Sequence, residues 1–249
     1  MRLQDRVAIV TGGGRGIGLA TARLFIQEGA RVVLGDRDRA ALAIVVDDLG
    51  SDWATALEVD VTRESDANRL VDEALERWGR LDLTVNSAGI VSPLPATELS
   101  VDEWRRVVDV NLTGPFLCAQ AVGRSMIERG SGGRIVNIAS VAGLRGAPAE
   151  VVNTIVYHVT KGGLIAFTRD LAWKWARHGI TVNAIAPGWF PSDMSRVVLE
   201  RAGPGLLDSV PLGRYGGEAD LKGAVAYLAS RASDYVTGQV LVVDGGQSA

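Results

Sequence analysis

The sequence is short of several features, and each shortage excludes a class of protein. It has a single cysteine, Cys118, so an internal disulfide is impossible and a reducing compartment is expected. Its two histidines, His158 and His178, form no metal-ligand pattern with that cysteine. The formal net charge of −3 gives no basic surface for nucleic acid. No apolar run is long enough to span a bilayer, and the polar start at 1–5 does not resemble a signal peptide, so we expect a cytoplasmic protein without a membrane partner.

What the chain does contain is a regular alternation of apolar runs of strand length with segments of helical periodicity. Strands are predicted at 7–10, 31–35, 54–59, 81–85, 134–139, 180–186 and 240–243. Most of these runs are apolar on both faces, which is typical of a mostly parallel sheet covered by helices on both sides. The sequence has no repeat or linker, so we predict one doubly wound α/β domain with seven strands over residues 1–249.

Ligands of such sheets bind at the carboxyl ends of the strands. Several polar residues and a Pro-Gly pair fall at predicted strand ends and should meet in one crevice: Asp36, Asp60, Asn86, Ser140, Pro187 and Gly188. Residues 101–129 are predicted as two helical pieces joined near 113–115, and 155–178 as one long helix. Residues 189–216, with three prolines and mixed apolar and basic side chains, are predicted to be irregular.

A glycine-rich turn follows the first predicted strand and opens a predicted helix. Glycines at 12, 16 and 18 allow a tight turn and let the backbone come close to a ligand. The helix would point its N–H groups and the positive end of its dipole at the turn, which suits a pyrophosphate. Asp36, 18 positions after Gly18, ends the next strand, where a carboxylate suits an adenosine ribose. An ordinary glycine turn is the alternative, but the order of strand, helix and acid favours a dinucleotide.

A tyrosine and a lysine four positions apart share one face of the predicted long helix. A phenol normally titrates near pH ~10, and a neighbouring ammonium favours the phenolate, so Lys161 is expected to lower the pKa of Tyr157. Tyr157 would then exchange a proton with a substrate hydroxyl, and Ser140 would hold the substrate oxygen. A surface Tyr–Lys pair without function is the alternative for these two residues alone.

Taken in order, these residues resemble the short-chain dehydrogenase/reductase family, and the resemblance covers essentially the whole chain. The matching segments are the turn at 11–18, Asp60-Val61, 86–89, Asn111, Ser140, Tyr157, Lys161, 187–192 and the ending at 237–246. Ser87 replaces an asparagine of the family pattern, and Ser192 replaces a threonine but keeps its hydroxyl. The 17 positions from Ser140 to Tyr157 exceed the usual family spacing.

The resemblance implies a Rossmann-type fold and a nicotinamide-dependent oxidoreductase. Hydride would pass between nicotinamide C4 and a carbinol carbon, while Tyr157 exchanges the proton, Lys161 assists it, Ser140 orients the substrate and Asn111 supports a proton relay. Metal ligands are not expected. The expected cofactor contacts are Gly12, Arg15, Gly16, Ile17, Gly18, Asp36, Arg37, Asp60, Val61, Asn86, Ala88, Gly89, Tyr157, Lys161, Pro187, Gly188, Phe190 and Ser192.

Asp36 favours NAD over NADP, because its carboxylate would accept hydrogen bonds from the ribose and repel a 2′-phosphate. Arg15 and Arg37 argue the other way, since two guanidinium groups can clamp a phosphate, unless they are solvated surface charges. We expect NAD to be preferred. Members of the family are commonly tetramers, so we also expect a homotetramer that packs the helices at 101–129 and 155–178 against their copies.

The substrate region is expected to comprise a loop at about 142–154 and a lid at about 189–212. Arg145, Arg196 and Arg201 are candidates to meet an acid group, with simple solvation as the alternative. An apolar wall is predicted from Trp189, Phe190, Met194, Leu199, Leu206 and Leu207.

The stretch 168–194 resembles gluconate 5-dehydrogenase-like members of the family. The expected substrate is therefore a secondary alcohol or its ketone, such as a polyol or a sugar acid. Two alternatives stay open: a 3-oxoacyl thioester reductase, and a nucleotide-sensing or structural protein without turnover.

Overall fold

Seven strands form a single sheet in the computed structural model, which describes residues 1–149, 151–202 and 204–249. Every neighbouring pair of strands is parallel, in the order β3-β2-β1-β4-β5-β6-β7. The predicted doubly wound Rossmann-type fold is therefore confirmed, and the sheet is wholly rather than mostly parallel. The strands are β1 Val7–Thr11, β2 Arg31–Asp36, β3 Ala54–Glu58, β4 Leu83–Asn86, β5 Gly133–Ile138, β6 Ile180–Pro187 and β7 Val240–Val243.

Helices connect the strands and cover the sheet. In the described ranges, none of them has both the length and the apolar character needed to cross a membrane. The α-helices are α1 Gly16–Gln27, α2 Arg39–Leu49, α3 Glu64–Trp78, α4 Val101–Val108, α5 Gly114–Glu128, α6 Ile155–Trp175, α7 Asp193–Ala202 and α8 Glu218–Ala229.

Alternate residues of each strand enter two separate apolar layers. On β1, Ala8 and Val10 pack with α1, α2 and α8, whereas Val7 and Ile9 pack with α3, α5 and α6. All four side chains are buried, which explains why these strands have apolar residues on both faces. Strands β2 and β3 lie on one side of β1, and β4 to β7 lie on its other side. This reversal of strand order at β1 opens a crevice at the carboxyl ends of the strands.

The predicted division of 101–129 into two helical pieces is found, and α5 begins at Gly114, within the predicted junction. The junction itself is a π-helical turn, Asp109–Thr113, so the chain stays helical between α4 and α5. Pro115 lies in the first turn of α5, directly after the π turn, so its missing N–H interrupts no hydrogen bond within α5 itself. Single π turns often occur at functional sites, and this one carries Asn111.

The predicted irregular segment 189–216 contains a helix, so that prediction was wrong. Its prolines lie outside α7, and the sequence between them is free to form helical hydrogen bonds. Ser192 and Ser195 stabilise the start of the helix reciprocally: each backbone N–H donates to the other's hydroxyl oxygen, at 2.9 and 3.2 Å. A 3₁₀ turn, Pro204–Ser209, follows. Glu150 of the predicted substrate loop, Gly203 of the lid and the side chain of Arg201 lie outside the described residues.

Candidate active site

A cleft of about 1150 Å³ opens at the carboxyl ends of the strands and collects most of the predicted site residues. Asn86, a predicted cofactor contact, and Asn111, a predicted catalytic residue, do not line it. The predicted residues that line it are Gly12, Arg15, Gly16, Ile17, Gly18, Asp36, Arg37, Asp60, Val61, Ala88, Gly89, Ser140, Tyr157, Lys161, Pro187, Gly188, Phe190 and Ser192.

The three glycines of the turn differ in what a side chain at their position would meet. Gly12 has a φ of +68°, and a Cβ there would lie 2.9 Å from the backbone of Ala88. A Cβ on Gly18 would lie 2.0 Å from the carbonyl oxygen of Gly12, so only glycine allows this close packing of helix against turn. Gly16 has a φ of +54°, and a Cβ there would meet no atom within 4 Å, so the turn is open at that point.

The start of α1 fits the phosphates of a dinucleotide. Arg15 precedes the helix with extended backbone, and no side chain caps the N–H groups of its first turn. The first turn also has no acidic residue that would compete with an anion. Unpaired N–H groups and the positive end of the helix dipole therefore face the cleft, as a bound pyrophosphate requires.

Asp36, at the end of β2, is held by the backbone around it. Its carboxylate accepts hydrogen bonds from Gly14 N at 3.0 Å and Asp38 N at 3.1 Å. Each nearby arginine faces an acid: Arg15 Nη2 donates to Asp38 Oδ2 at 2.7 Å, and Arg37 Nε lies 4.0 Å from an oxygen of Asp60. Because each arginine already lies near a carboxylate, the two are less available to bind the 2′-phosphate of NADP.

Asn86 lies beneath the cleft rather than in it. Its Nδ2 donates to Asn137 Oδ1 at 2.9 Å, and Asn137 Nδ2 donates to Thr168 Oγ1 at 2.9 Å. Thr168 in turn donates to the carbonyl of Leu164 at 2.8 Å. This buried chain connects β4 and β5 to α6, and so fixes the helix that carries Tyr157 relative to the strand that precedes Ser140.

Asn111 is bound to the loop after β4. Its Oδ1 accepts from Ile90 N at 2.8 Å, and its Nδ2 donates to Ile90 O at 2.8 Å and to Thr160 Oγ1 at 3.3 Å. A Cβ on Gly89 would lie 3.4 Å from Asn111 Oδ1 and 3.8 Å from Lys161 Nζ. The asparagine and the lysine are therefore close to the same glycine at the cleft wall.

The end of β5 and helix α6 bring Ser140, Tyr157 and Lys161 into one region. Ser140 Oγ accepts from Ala142 N at 3.1 Å, which begins a 3₁₀ turn, Val141–Gly143. A Cβ on Gly143 would lie 2.6 Å from the Lys161 backbone, so this turn packs directly on α6. Lys161 is buried, and its Nζ donates to Ile138 O at 2.6 Å and lies 5.5 Å from the ring centroid of Tyr157.

The pKa of Tyr157 differs from the expectation that Lys161 lowers it. Burial raises the pKa of the phenol, and the hydroxyl of Ser140 acts in the opposite direction. Burial also lowers the pKa of Lys161 to about 8. The physical reason is burial, which disfavours the charged phenolate more than the Ser140 hydroxyl favours it. In the protein alone, the phenol is therefore not acidified.

His158 and Gln247 are among the residues that line the cleft without having been predicted as site residues. His158 Nδ1 lies 2.9 Å from Thr154 O, and because a carbonyl only accepts, Nδ1 donates and Nε2 is left as an acceptor in the neutral ring. Gln247 reaches the cleft from the end of the chain, where its position after Asp244-Gly245-Gly246 was the only available signal.

The predicted apolar wall is only partly formed. Trp189, Phe190 and Met194 line the cleft, whereas Leu199, Leu206 and Leu207 do not. Of the predicted cationic contacts, Arg145 lines the cleft and Arg196, on α7, does not. The predicted lid therefore contributes residues 189–195 and Val198 to the cleft.

Comparison with known proteins identifies the family. A family model described as enoyl-(acyl carrier protein) reductase matches residues 12–248. A 3-oxoacyl-[acyl-carrier-protein] reductase of Synechocystis is 38% identical over 248 residues, which cover 98% of this chain and 97% of that protein. A galactitol 2-dehydrogenase of Agrobacterium fabrum is 38% identical over 257 residues, covering 99% and 98%.

Comparison with solved structures supports the same family assignment. A gluconate 5-dehydrogenase of Burkholderia cenocepacia, in complex with NADP and tartrate, superposes with a TM-score of 0.92 at 38% identity and covers 99% of this chain and 96% of its own. The chain belongs to the short-chain dehydrogenase/reductase family, whose members are oxidoreductases that use NAD or NADP. Its activity therefore concerns CH–OH groups of a small-molecule substrate.

The buried lysine predicts a pH-dependent stability. Its pKa is about 8 in the folded protein against 10.5 for a free lysine, so at neutral pH folding must bury the ammonium at a cost. At pH values between these two pKa values, the unfolded chain binds one proton more than the folded chain. The free energy of unfolding of the wild type should therefore rise with pH, relative to that of Lys161→Met. We expect the stability difference to change by about 1–3 kcal/mol from pH 7 to 10.5 in urea unfolding.

Lys174→Met is the control, because Lys174 is exposed and pairs with Asp170 at 2.6 Å. Its stability difference from wild type should stay within about 0.5 kcal/mol across the same range. A difference for Lys161→Met that does not vary with pH would contradict the cost assigned to the buried ammonium.

Proposed function

We propose that this chain is an NAD(H)-dependent oxidoreductase that interconverts a secondary alcohol and a ketone, with a polyol or a sugar acid such as gluconate as substrate. The observation that carries the proposal is the position of Ser140, Tyr157 and Lys161 in the same cleft as the glycine turn and Asp36. Relatives named galactitol 2-dehydrogenase and gluconate 5-dehydrogenase support the substrate class.

A nicotinamide cofactor held in this cleft would supply the chemistry of hydride transfer. The protein's own residues orient the substrate and move the proton. In alcohol oxidation, Ser140 donates a hydrogen bond to the substrate oxygen, and the phenolate of Tyr157 takes the hydroxyl proton as the carbonyl forms. In ketone reduction, Tyr157 returns that proton to the oxygen. Lys161 binds the nicotinamide ribose, and Asn111 supports the relay of the proton.

Tyr157 depends on added positive charge to act as a base. Burial raises the pKa of its phenol, so the protein alone favours the neutral form. A bound cationic nicotinamide and the Lys161 ammonium would both stabilise the phenolate. Proton abstraction is thereby coupled to occupancy of the cofactor site.

The preference for NAD rests on Asp36. Its carboxylate is fixed by two backbone N–H groups at the cleft wall, where it would accept from ribose hydroxyls and repel a 2′-phosphate. Arg15 is engaged by Asp38, and Arg37 lies near Asp60. The NADP in the Burkholderia structure argues for the other cofactor, and kinetics decide between them.

One domain over 1–249 contains the whole site, with the loop at 142–154 beside the substrate and the segment 189–212 as its lid. Trp189, Phe190 and Met194 supply the lid's apolar contacts with the cleft. Asp193, at the start of α7, lies 4.0 Å from Arg15 of the glycine turn. This contact would couple the lid to the pyrophosphate site.

A 3-oxoacyl thioester reductase is the second candidate, and the Synechocystis relative and the family description favour it. A panel of gluconate, polyols, cyclic alcohols and 3-oxoacyl thioesters separates the two, since turnover on thioesters alone would overturn the sugar-acid assignment. A nucleotide-sensing or structural role without turnover is a third candidate, which wild-type turnover on any of these substrates would exclude.

The protein assembles as a homotetramer through α4, α5 and α6. Trp104, Phe116, Ile155 and Val159 of these helices carry exposed apolar side chains. Light scattering should give four times the 26.3 kDa of one chain, and Phe116→Arg should lower the mass by placing a charge in the contact. A monomeric wild type would contradict this assembly.

Replacing the proposed acid–base residue tests the mechanism. Tyr157→Phe removes only the hydroxyl, so kcat should fall by about 10²–10⁴-fold while NADH still binds, as measured by fluorescence titration. Tyr227→Phe on α8, whose side chain does not line the cleft, is the matched control and should keep wild-type kcat. Turnover in Tyr157→Phe close to wild type would remove Tyr157 from the chemistry.

Replacing the strand-end carboxylate tests the cofactor preference. Wild-type kcat/KM should be at least about tenfold higher with NAD than with NADP, and Asp36→Ser should reduce that ratio by removing the repulsion. Asp47→Ser, an equal change of charge on the exposed face of α2, should leave the ratio unchanged. Equal efficiency of the wild type with both cofactors would show that Asp36 does not discriminate.

A further inference from the structure

Three distant segments meet at one side of the cleft through the side chain of Gln247. The amide orientation follows from Trp189 Nε1 and Arg145 Nη2, which can only donate hydrogen bonds. Gln247 Oε1 accepts from Trp189 Nε1 at 2.7 Å and from Arg145 Nη2 at 3.1 Å. Arg145 follows Ser140 by five residues, Trp189 follows the end of β6, and both line the cleft together with Gln247.

This contact fixes a guanidinium without neutralising it. The partner of Arg145 is a neutral amide that uses one of the five N–H groups, so the positive charge remains and the planar fork is oriented. None of the ion pairs among the described residues involves Arg145. Arg145 is exposed where it lines the cleft, and a guanidinium there without an acidic partner suits bidentate contact with a carboxylate.

The acidic side chains among the described lining residues of the cleft lie elsewhere, and none of them pairs with Arg145. Asp36 and Asp60 lie on the side of the predicted ribose, and Asp193 lies near Arg15 at the glycine turn. Glu218 pairs with Lys222 at 2.8 Å. Arg145, in contrast, belongs to the segment that directly follows Ser140, which holds the substrate oxygen in the proposed reaction.

We propose that Arg145, oriented by Gln247, binds a carboxylate of the substrate, so that the protein selects polyhydroxy acids over neutral polyols. This inference rests on the proposed oxidoreductase function and names its substrate class. The hydride and proton steps are unchanged, because the carboxylate is held away from the carbon that reacts. Arg145 is thus a specificity residue and takes no part in proton transfer.

The test compares gluconate with glucitol, which differ only in a terminal carboxylate against a hydroxymethyl group. Binding to the NADH-loaded protein is measured calorimetrically at equal ionic strength, and kcat/KM is measured with NAD. Wild type should favour gluconate in both measurements. Arg145→Gln should reduce the gluconate-to-glucitol ratio at least about tenfold, and Arg145→Lys should retain part of it.

Two further variants separate position from charge. Arg196→Gln makes the same substitution at an exposed arginine of the lid that does not line the cleft, and it should keep the wild-type ratio. Gln247→Glu places a carboxylate on the Arg145 guanidinium, so the ratio should fall as in Arg145→Gln although the arginine is present. NADH affinity reports whether each variant remains folded.

The outcomes distinguish the two proposals. Turnover of both compounds with an unchanged ratio in Arg145→Gln, or an equal loss in Arg196→Gln, would overturn the carboxylate site and leave the oxidoreductase function intact. Wild-type preference for glucitol would also overturn it. Absence of wild-type turnover on every alcohol and ketone tested would overturn the proposed function, and turnover on thioesters alone would overturn the substrate class.

Discussion

The buried hydrogen bond from the Lys161 ammonium to the carbonyl of Ile138 connects the two elements on which the site depends. It joins the end of β5, from which Ser140 follows, to α6, which carries Tyr157. The backbone contact at Gly143 and the chain of hydrogen bonds through Asn137 and Thr168 hold the same junction. Their burial excludes water, so any charge brought into this region is poorly screened.

This weak screening separates the residues proposed for proton transfer from those proposed for cofactor recognition. Burial disfavours the charged forms of both Tyr157 and Lys161, so the protein without cofactor keeps the phenol neutral. A cation bound beside Tyr157 would favour its phenolate over the neutral phenol. The glycine turn and Asp36 lie at the other strand ends of the cleft, where backbone N–H groups rather than buried charges provide the recognition.

The predictions from sequence held where local pattern decides the structure. The seven strands, the parallel sheet and the glycine turn follow from apolar periodicity and from glycines that tight packing requires at 12 and 18. Helix α7 was missed because its stability depends on reciprocal capping by Ser192 and Ser195, which the nearby prolines obscured. The π turn at Asn111 was missed because one extra residue per turn leaves no clear mark in hydrophobic spacing.

The sequence by itself determined the fold, the order of the site segments and the chemistry of the residues at the strand ends, because periodicity and turn residues are local properties. Only the tertiary structure decided the direction of the Lys161 ammonium, the pKa of Tyr157 and the meeting of Arg145, Trp189 and Gln247. These features depend on burial and on contacts between segments far apart in the chain. Parallel strands bring such segments to one edge of the sheet, and side-chain packing there sets which atoms touch.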